Sequence, residues 1–79
     1  MKELIGKTFT YEGDLYEIIA ADPLEGSRFK TAKNLGFETT LYTAKAHNGG
    51  KDAYFYRRGE TGRLYTTKGH YPSDDCVNA

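Results

Sequence analysis

Apolar and polar residues alternate with period two over much of this chain, and that alternation predicts strands. Lys7–Tyr11 and Leu15–Ala21 read as a hairpin around Gly13-Asp14, because glycine at the first loop position suits a two-residue type II′ turn. Such a turn sets Tyr11 opposite Tyr16, Phe9 opposite Ile18 and Lys7 opposite Ala20. One face then carries Phe9, Tyr11, Tyr16, Ile18 and Ala20. The other carries Thr8, Thr10, Glu12 and Glu17, interrupted by Leu15 and Ile19. A one-residue slip would scatter the apolar set, so the pattern supports this register.

The period changes after Asp22-Pro23. Arg28 to Leu35 reads as a short helix with Ser27 as N-cap and Gly36 as a left-handed C-cap on which Phe37 packs back. Phe29, Ala32 and Leu35 fall on one face, and Arg28, Lys30 and Lys33 on the solvated one. A longer helix from Asp22, with Pro23 in its first turn and Glu25 closing a capping box, must tolerate Gly26 at about 1 kcal/mol. A third strand over Arg28–Lys33 is the competing reading.

Phe37–Ala46 is the longest strand expected. Asn48-Gly49 follows, a strong hairpin signal, and a type I′ loop there pairs Lys45 with Asp52, Thr43 with Tyr54, Leu41 with Tyr56 and Tyr42 with Phe55. A second hairpin around Gly59-Glu60-Thr61-Gly62 pairs Tyr56 with Tyr65, Arg57 with Leu64 and Arg58 with Arg63. A G1 bulge at Gly62 is the alternative that flips the last strand. The resulting meander has unlike faces. Tyr42, Ala44, Ala46, Ala53, Phe55 and Leu64 share one, which is expected to lie under the helix. Leu41, Tyr54, Tyr56, Arg58, Arg63 and Tyr65 share the other, expected to be partly open to water.

The expected fold is therefore small α+β, an antiparallel sheet with one short helix in the order ββ-α-βββ. An all-β SH3-like or OB-like barrel is the alternative. Residues 1–69 form the single compact domain, and 70–79, broken by Pro72, form a polar C-terminal tail. At 79 residues the core is small.

Composition narrows the chemistry. Net charge is zero, with 11 basic and 11 acidic residues, which argues against non-specific binding to DNA by phosphate neutralisation. The charges are segregated, however. Glu3, Glu12, Asp14, Glu17, Asp22 and Glu25 crowd the first hairpin, whereas the middle of the chain is basic. A local basic patch is thus permitted. The single cysteine, Cys76, forms no internal disulfide and fits a reducing cytoplasm, as does an N-terminus too polar for a signal or anchor. No stretch is apolar enough to span a bilayer.

No catalytic or metal site is expected. Ser27, His47, His70, Ser73 and Cys76 are the nucleophile and base candidates. His70 and Cys76 sit beside Asp74 and Asp75, which would raise a thiol pKa rather than activate it. His47 flanks a turn. Glu12, Asp14 and Glu17 read as solvated, and two histidines with one cysteine lack zinc-ligand spacing. Gly59 to Arg63 lacks the lysine and following helix of a phosphate loop. No cofactor is expected.

Tyr54, Tyr56, Arg58, Arg63 and Tyr65 remain as the candidate partner-binding face. Tyrosine and arginine combine contact area with a polar tip and dominate binding hot spots. The expected function is a non-enzymatic protein-binding module, an accessory protein or stoichiometric inhibitor of a larger partner. Compact chains of this kind are common in phages and other mobile elements, where some block a host nucleic-acid-processing machine; the analogy is one of class. The alternative is a small nucleic-acid binder using Arg57, Arg58, Arg63 and Lys68 with the tyrosines. Edge strands of so small a sheet could also pair in a homodimer.

Overall fold

The computed structural model describes residues 4–66, Pro72 and 77–78. Cys76, His70, Ser73 and Lys68 lie outside the described residues, and so do the readings made of them. The fold is α+β: β1 (Thr8–Tyr11), β2 (Asp14–Pro23), α1 (Gly26–Leu35), β3 (Thr40–Ala46), β4 (Ala53–Arg57), β5 (Leu64–Thr66) and β6 (Val77–Asn78). The strands lie in chain order in one antiparallel sheet. The expected order ββ-α-βββ holds through β5, with β6 added after it, and α1 sets the helix-free barrel aside. Part of the expected tail is a strand, β6, paired with β5, and Pro72 before it is fully buried.

The first hairpin turns one residue earlier than its sequence implies. Tyr11 pairs with Asp14, so the loop is Glu12-Gly13. Both residues have positive φ, 51° and 84°, as a type I′ turn demands. Glycine meets that demand freely, and Glu12 is the non-glycine residue that accepts it. Every cross-strand pair moves by two, so Phe9 faces Tyr16 rather than Ile18. Because the shift is even, Phe9, Tyr11, Tyr16 and Ile18 keep their common face. Ala20 does not. A bulge between Ile18 and Ala20 lets Ala21 pair with Tyr42 and face inward in its place.

β2 runs to Pro23, which rules out a helix from Asp22. Leu24 then donates its N–H to the Thr39 carbonyl. The helix begins at Gly26, with extended Glu25 rather than Ser27 at the N-cap and no side-chain cap bond. Its other end follows the sequence closely. Gly36 has φ 84°, Gly36 N–H donates to Lys33 C=O, and Phe37 N–H donates to Ala32 C=O. These two bonds form a Schellman motif, and buried Phe37 packs with Ala32 as that motif favours.

The meander keeps its expected registers. Tyr42 faces Phe55, Thr43 faces Tyr54, Tyr56 faces Tyr65, and Arg57 faces Leu64. The first loop is not type I′. Gly49 N–H donates to Ala46 C=O, and Asn48 Oδ1 accepts from Gly50 N–H at 2.8 Å, so the asparagine closes its own side-chain turn. The Gly59–Gly62 loop closes with Arg58 N–H on Arg63 C=O and Gly62 N–H on Arg58 C=O. β3 itself begins only at Thr40, while Phe37 makes an isolated bridge with Arg58.

The core is two-sided, and here the sequence expectation reverses. Ile18, Tyr42, Ala44 and Phe55 form the inner cluster, with Phe9, Tyr11, Tyr16, Ala21, Ala53 and Leu64 packed on it. No helical residue covers this face. The sheet covers itself by curling into a half-barrel. Flat strands about 4.8 Å apart would put β1 about 14 Å from β4. Yet the Phe9 and Phe55 rings meet edge-on at 4.9 Å, and Tyr11 and Phe55 at 5.2 Å. The helix instead covers the outer face. Leu24, Ala32, Phe37 and Tyr56 form the second cluster, with Leu35, Leu41 and Tyr65 against them. Ala32 is wholly buried, whereas Phe29, expected in the contact, is 39% exposed.

Candidate functional site

The five residues singled out as a binding face do share one face, as their spacing implies. Tyr56 and Tyr65 are cross-strand partners, Arg58 and Arg63 flank the turn, and Tyr54 lies two residues before Tyr56. That face is the one the helix covers. Tyr56 is 0% exposed, packed in the cluster with Leu24, Ala32 and Phe37. Tyr65 is partly buried with its ring edge-on to Phe37. Tyr54 is half-buried and Arg63 is exposed.

Arg58 is committed to the fold. Its guanidinium lies 4.3 Å above the Phe37 ring and 5.3 Å from that of Tyr65. Its Nη1 donates to the Leu35 carbonyl. A cation at that carbonyl satisfies an acceptor the helix leaves open and meets the negative end of its dipole. Arg57 points to the other face. Its Nη1 donates to Glu38 Oε2 at 3.3 Å and its Nε to Gly62 C=O at 3.2 Å. Glu38 Oε1 in turn accepts from the Tyr42 hydroxyl at 2.8 Å. Charge patterning read these arginines as available. Their partners, a helix-end carbonyl and a glutamate nineteen positions away, become visible only in three dimensions.

The Tyr42–Glu38 contact has a pH signature. Burial first, and then the Glu38 carboxylate, push the Tyr42 phenol up from 10.0 to about 12, against an opposing pull from Arg57. The folded protein therefore holds this proton where an unfolded tyrosine has lost it. The contribution to stability is whole below pH about 10 and drains away as pH rises toward about 12. Denaturant midpoints should fall across that window. Tyr42→Phe should start about 1 kcal/mol less stable and fall less steeply. Tyr11, also raised by burial and Glu12, is common to both proteins. Parallel falls in the two would refute the assignment to Tyr42.

What remains open is the other end of the outer face. Successive rows follow from the register: Thr10 with Leu15; Thr8 with Glu17 and Lys45; Ala20 with Thr43 and Tyr54. His47 joins the first row, where its N–H donates to Leu15 C=O, and its Nε2 lies 3.4 Å from Glu17 Oε1. Within these rows Leu15 is 44% exposed and Ile19, at the bulge, 43%. In the sequence these two merely interrupt a polar face. The helix covers neither of them, so both stay exposed, with the Glu17 and Lys45 row between them.

Among the described residues, no group of three or more His, Cys, Asp or Glu gathers to hold a metal ion, and no helix is long and apolar enough to cross a membrane. No family model, curated protein or solved structure matches this chain.

Proposed function

We propose that this chain is a non-enzymatic protein-binding module, an accessory protein or stoichiometric inhibitor that covers a surface of a larger partner. The observation that supports this best is the open end of the outer sheet face, which carries exposed Leu15 and Ile19 and, two strands away, half-buried Tyr54. Exposed aliphatic side chains, an aromatic anchor and the charged pair Glu17 and Lys45 set between them are the parts of a mixed protein interface. The helix leaves Tyr54 and Arg63 as the accessible members of the Tyr/Arg set. Blocking a host nucleic-acid-processing complex, as some phage and mobile-element proteins do, is the form of this reading that the class-level analogy suggests.

The test is a double variant, Leu15→Glu with Ile19→Lys. Both side chains are exposed, so folding stability should change by less than about 1 kcal/mol. Binding to the partner that wild type captures should weaken by at least about 100-fold. Unaltered capture would place the interface elsewhere.

Nucleic-acid binding is the second reading, and the arginine geometry counts against it. Arg57 and Arg58 are already engaged, and Lys68 is outside the described residues. In its favour, α1 carries Arg28, Lys30 and Lys33 with no acidic residue. Titration with labelled single-stranded and duplex oligonucleotides at two salt concentrations separates the readings, since phosphate-driven binding fades steeply with salt.

A further inference from the structure

We infer that β1 is a dimerisation edge, on which a second copy of this chain adds its own β1 antiparallel across a two-fold axis at Phe9. The inference is independent of the larger partner proposed above.

The hydrogen-bond phase of β1 carries the argument. Ile18 N–H donates to Lys7 C=O, while Lys7 N–H turns back to Leu4 C=O and Gly6 N–H takes the Ile18 carbonyl, so the one bond from Ile18 to Lys7 marks position 7 as a hydrogen-bonding position of the ladder. Such positions alternate along an antiparallel ladder, so Phe9 and Tyr11 also spend their backbone groups on β2. The N–H and C=O groups of Thr8 and Thr10 then point away from the sheet. Among the described residues β1 has β2 as its one neighbour. A two-fold axis at Phe9 sets Thr8 against Thr10 of the second copy, and Thr10 against Thr8. Both are hydrogen-bonded pairs, so all the outward groups of the two threonines are used at once. The pattern is self-complementary, as a two-fold interface requires.

Side chains agree with that register. It places Lys7 of each copy opposite Tyr11 of the other. Tyr11 is where the Glu12 carboxylate reaches back, since Glu12 raises the Tyr11 phenol through a side-chain hydrogen bond and its charge. Each ammonium thus meets a carboxylate and an aromatic ring across the seam. Along the inner face the partly buried rings of Phe9, Tyr11 and Tyr16 line this same edge of the half-barrel. A second copy continues the sheet there and buries them against their equivalents. β1 itself, Thr8-Phe9-Thr10-Tyr11, is short but holds no charge, proline or bulge, three of the devices by which monomeric sheets guard an edge.

Sedimentation equilibrium on the purified chain, from micromolar to millimolar concentration, tests the inference. Wild type should show a monomer–dimer equilibrium. Thr10→Pro deletes an outward N–H while sparing the β2 ladder, and should weaken dimerisation by at least about tenfold. Lys7→Glu should weaken it too, and Lys7→Glu with Glu12→Lys should restore it. This charge swap reads the register even if the proline variant fails to fold. A wild type that stays monomeric at every concentration overturns the inference. So does a dimer that a folded Thr10→Pro variant leaves intact, or a charge swap that restores nothing.

Discussion

Tyr56→Ala is expected to cost about 3–5 kcal/mol, the range for removing a large buried aromatic side chain. A domain of this size is stable by roughly 4–12 kcal/mol, so the variant stands near the edge of folding. The cost is large because Tyr56 is packed from both directions. The sheet supplies Tyr65 and Leu41, and the helix side supplies Ala32 and Phe37. Ala32 allows the helix to lie close, and a void beneath it is not easily filled by so small a residue. Tyr54→Ala, two residues away and half-buried, should cost about 1 kcal/mol. Urea unfolding of the two variants reads the difference directly. Equal and small losses would mean that the helix does not seal Tyr56, and the outer face would have to be redrawn. The comparison also protects any binding experiment. A Tyr56→Ala protein that fails to bind reports a damaged fold, whereas Tyr54→Ala reports the surface.

Local chemistry was the legible part of this chain. Gly36 followed by Phe37 announced the helix end, and the cross-strand pairs Tyr42–Phe55 and Tyr56–Tyr65 followed from alternation and turn residues. These features depend on neighbours a few positions apart. The first turn misled because Glu12 adopts a left-handed conformation that its side chain gives no reason to expect, so glycine was assigned the wrong turn position. The error was harmless to the inward-facing set only because it was even. The bulge at Ile19 was not harmless. A one-residue insertion is invisible to a period-two pattern, yet it turns Ala20 to the outward face that Ile19 already occupies.

The larger reversal concerned which face the helix covers. β3 and β4 are apolar on both sides, with Tyr42 and Phe55 on one and Leu41 and Tyr56 on the other, and alternation alone cannot rank them. The face richer in alanine is the natural helix seat only if a helix alone can close the core. The chain closes that side with its own strands. The candidate site inherited this assumption. Tyr56, Arg58 and Tyr65 were correctly grouped, but their grouping serves the helix seat, with Arg58 holding its C-terminal carbonyl and stacking on Phe37. Enrichment of tyrosine and arginine marks hot spots and half-buried packing alike, because both exploit a broad apolar body with a polar tip.

Phe55→Ala should be as damaging as Tyr56→Ala, at about 3–5 kcal/mol, for a reason that belongs to the other side of the sheet. Phe55 is where the curl closes: Phe9, Tyr11 and Tyr16 all present their rings to it edge-on. A double-mutant cycle isolates that geometry. In a flat sheet Phe9 and Phe55 would be independent, and their losses would add to within about 0.5 kcal/mol. In the half-barrel the rings touch at 4.9 Å, so the double variant should lose about 0.5–1.5 kcal/mol less than the sum of the single ones. The same cycle between Phe9 and Tyr56, on opposite faces, should show no coupling. Coupling in the first pair alone would follow from self-closure of the sheet, since β1 reaches β4 only if β2 and β3 bend between them. Additivity in both would mean that the β1–β2 hairpin stands away from the rest of the sheet, and the aromatic edge offered to a second copy would be wider still.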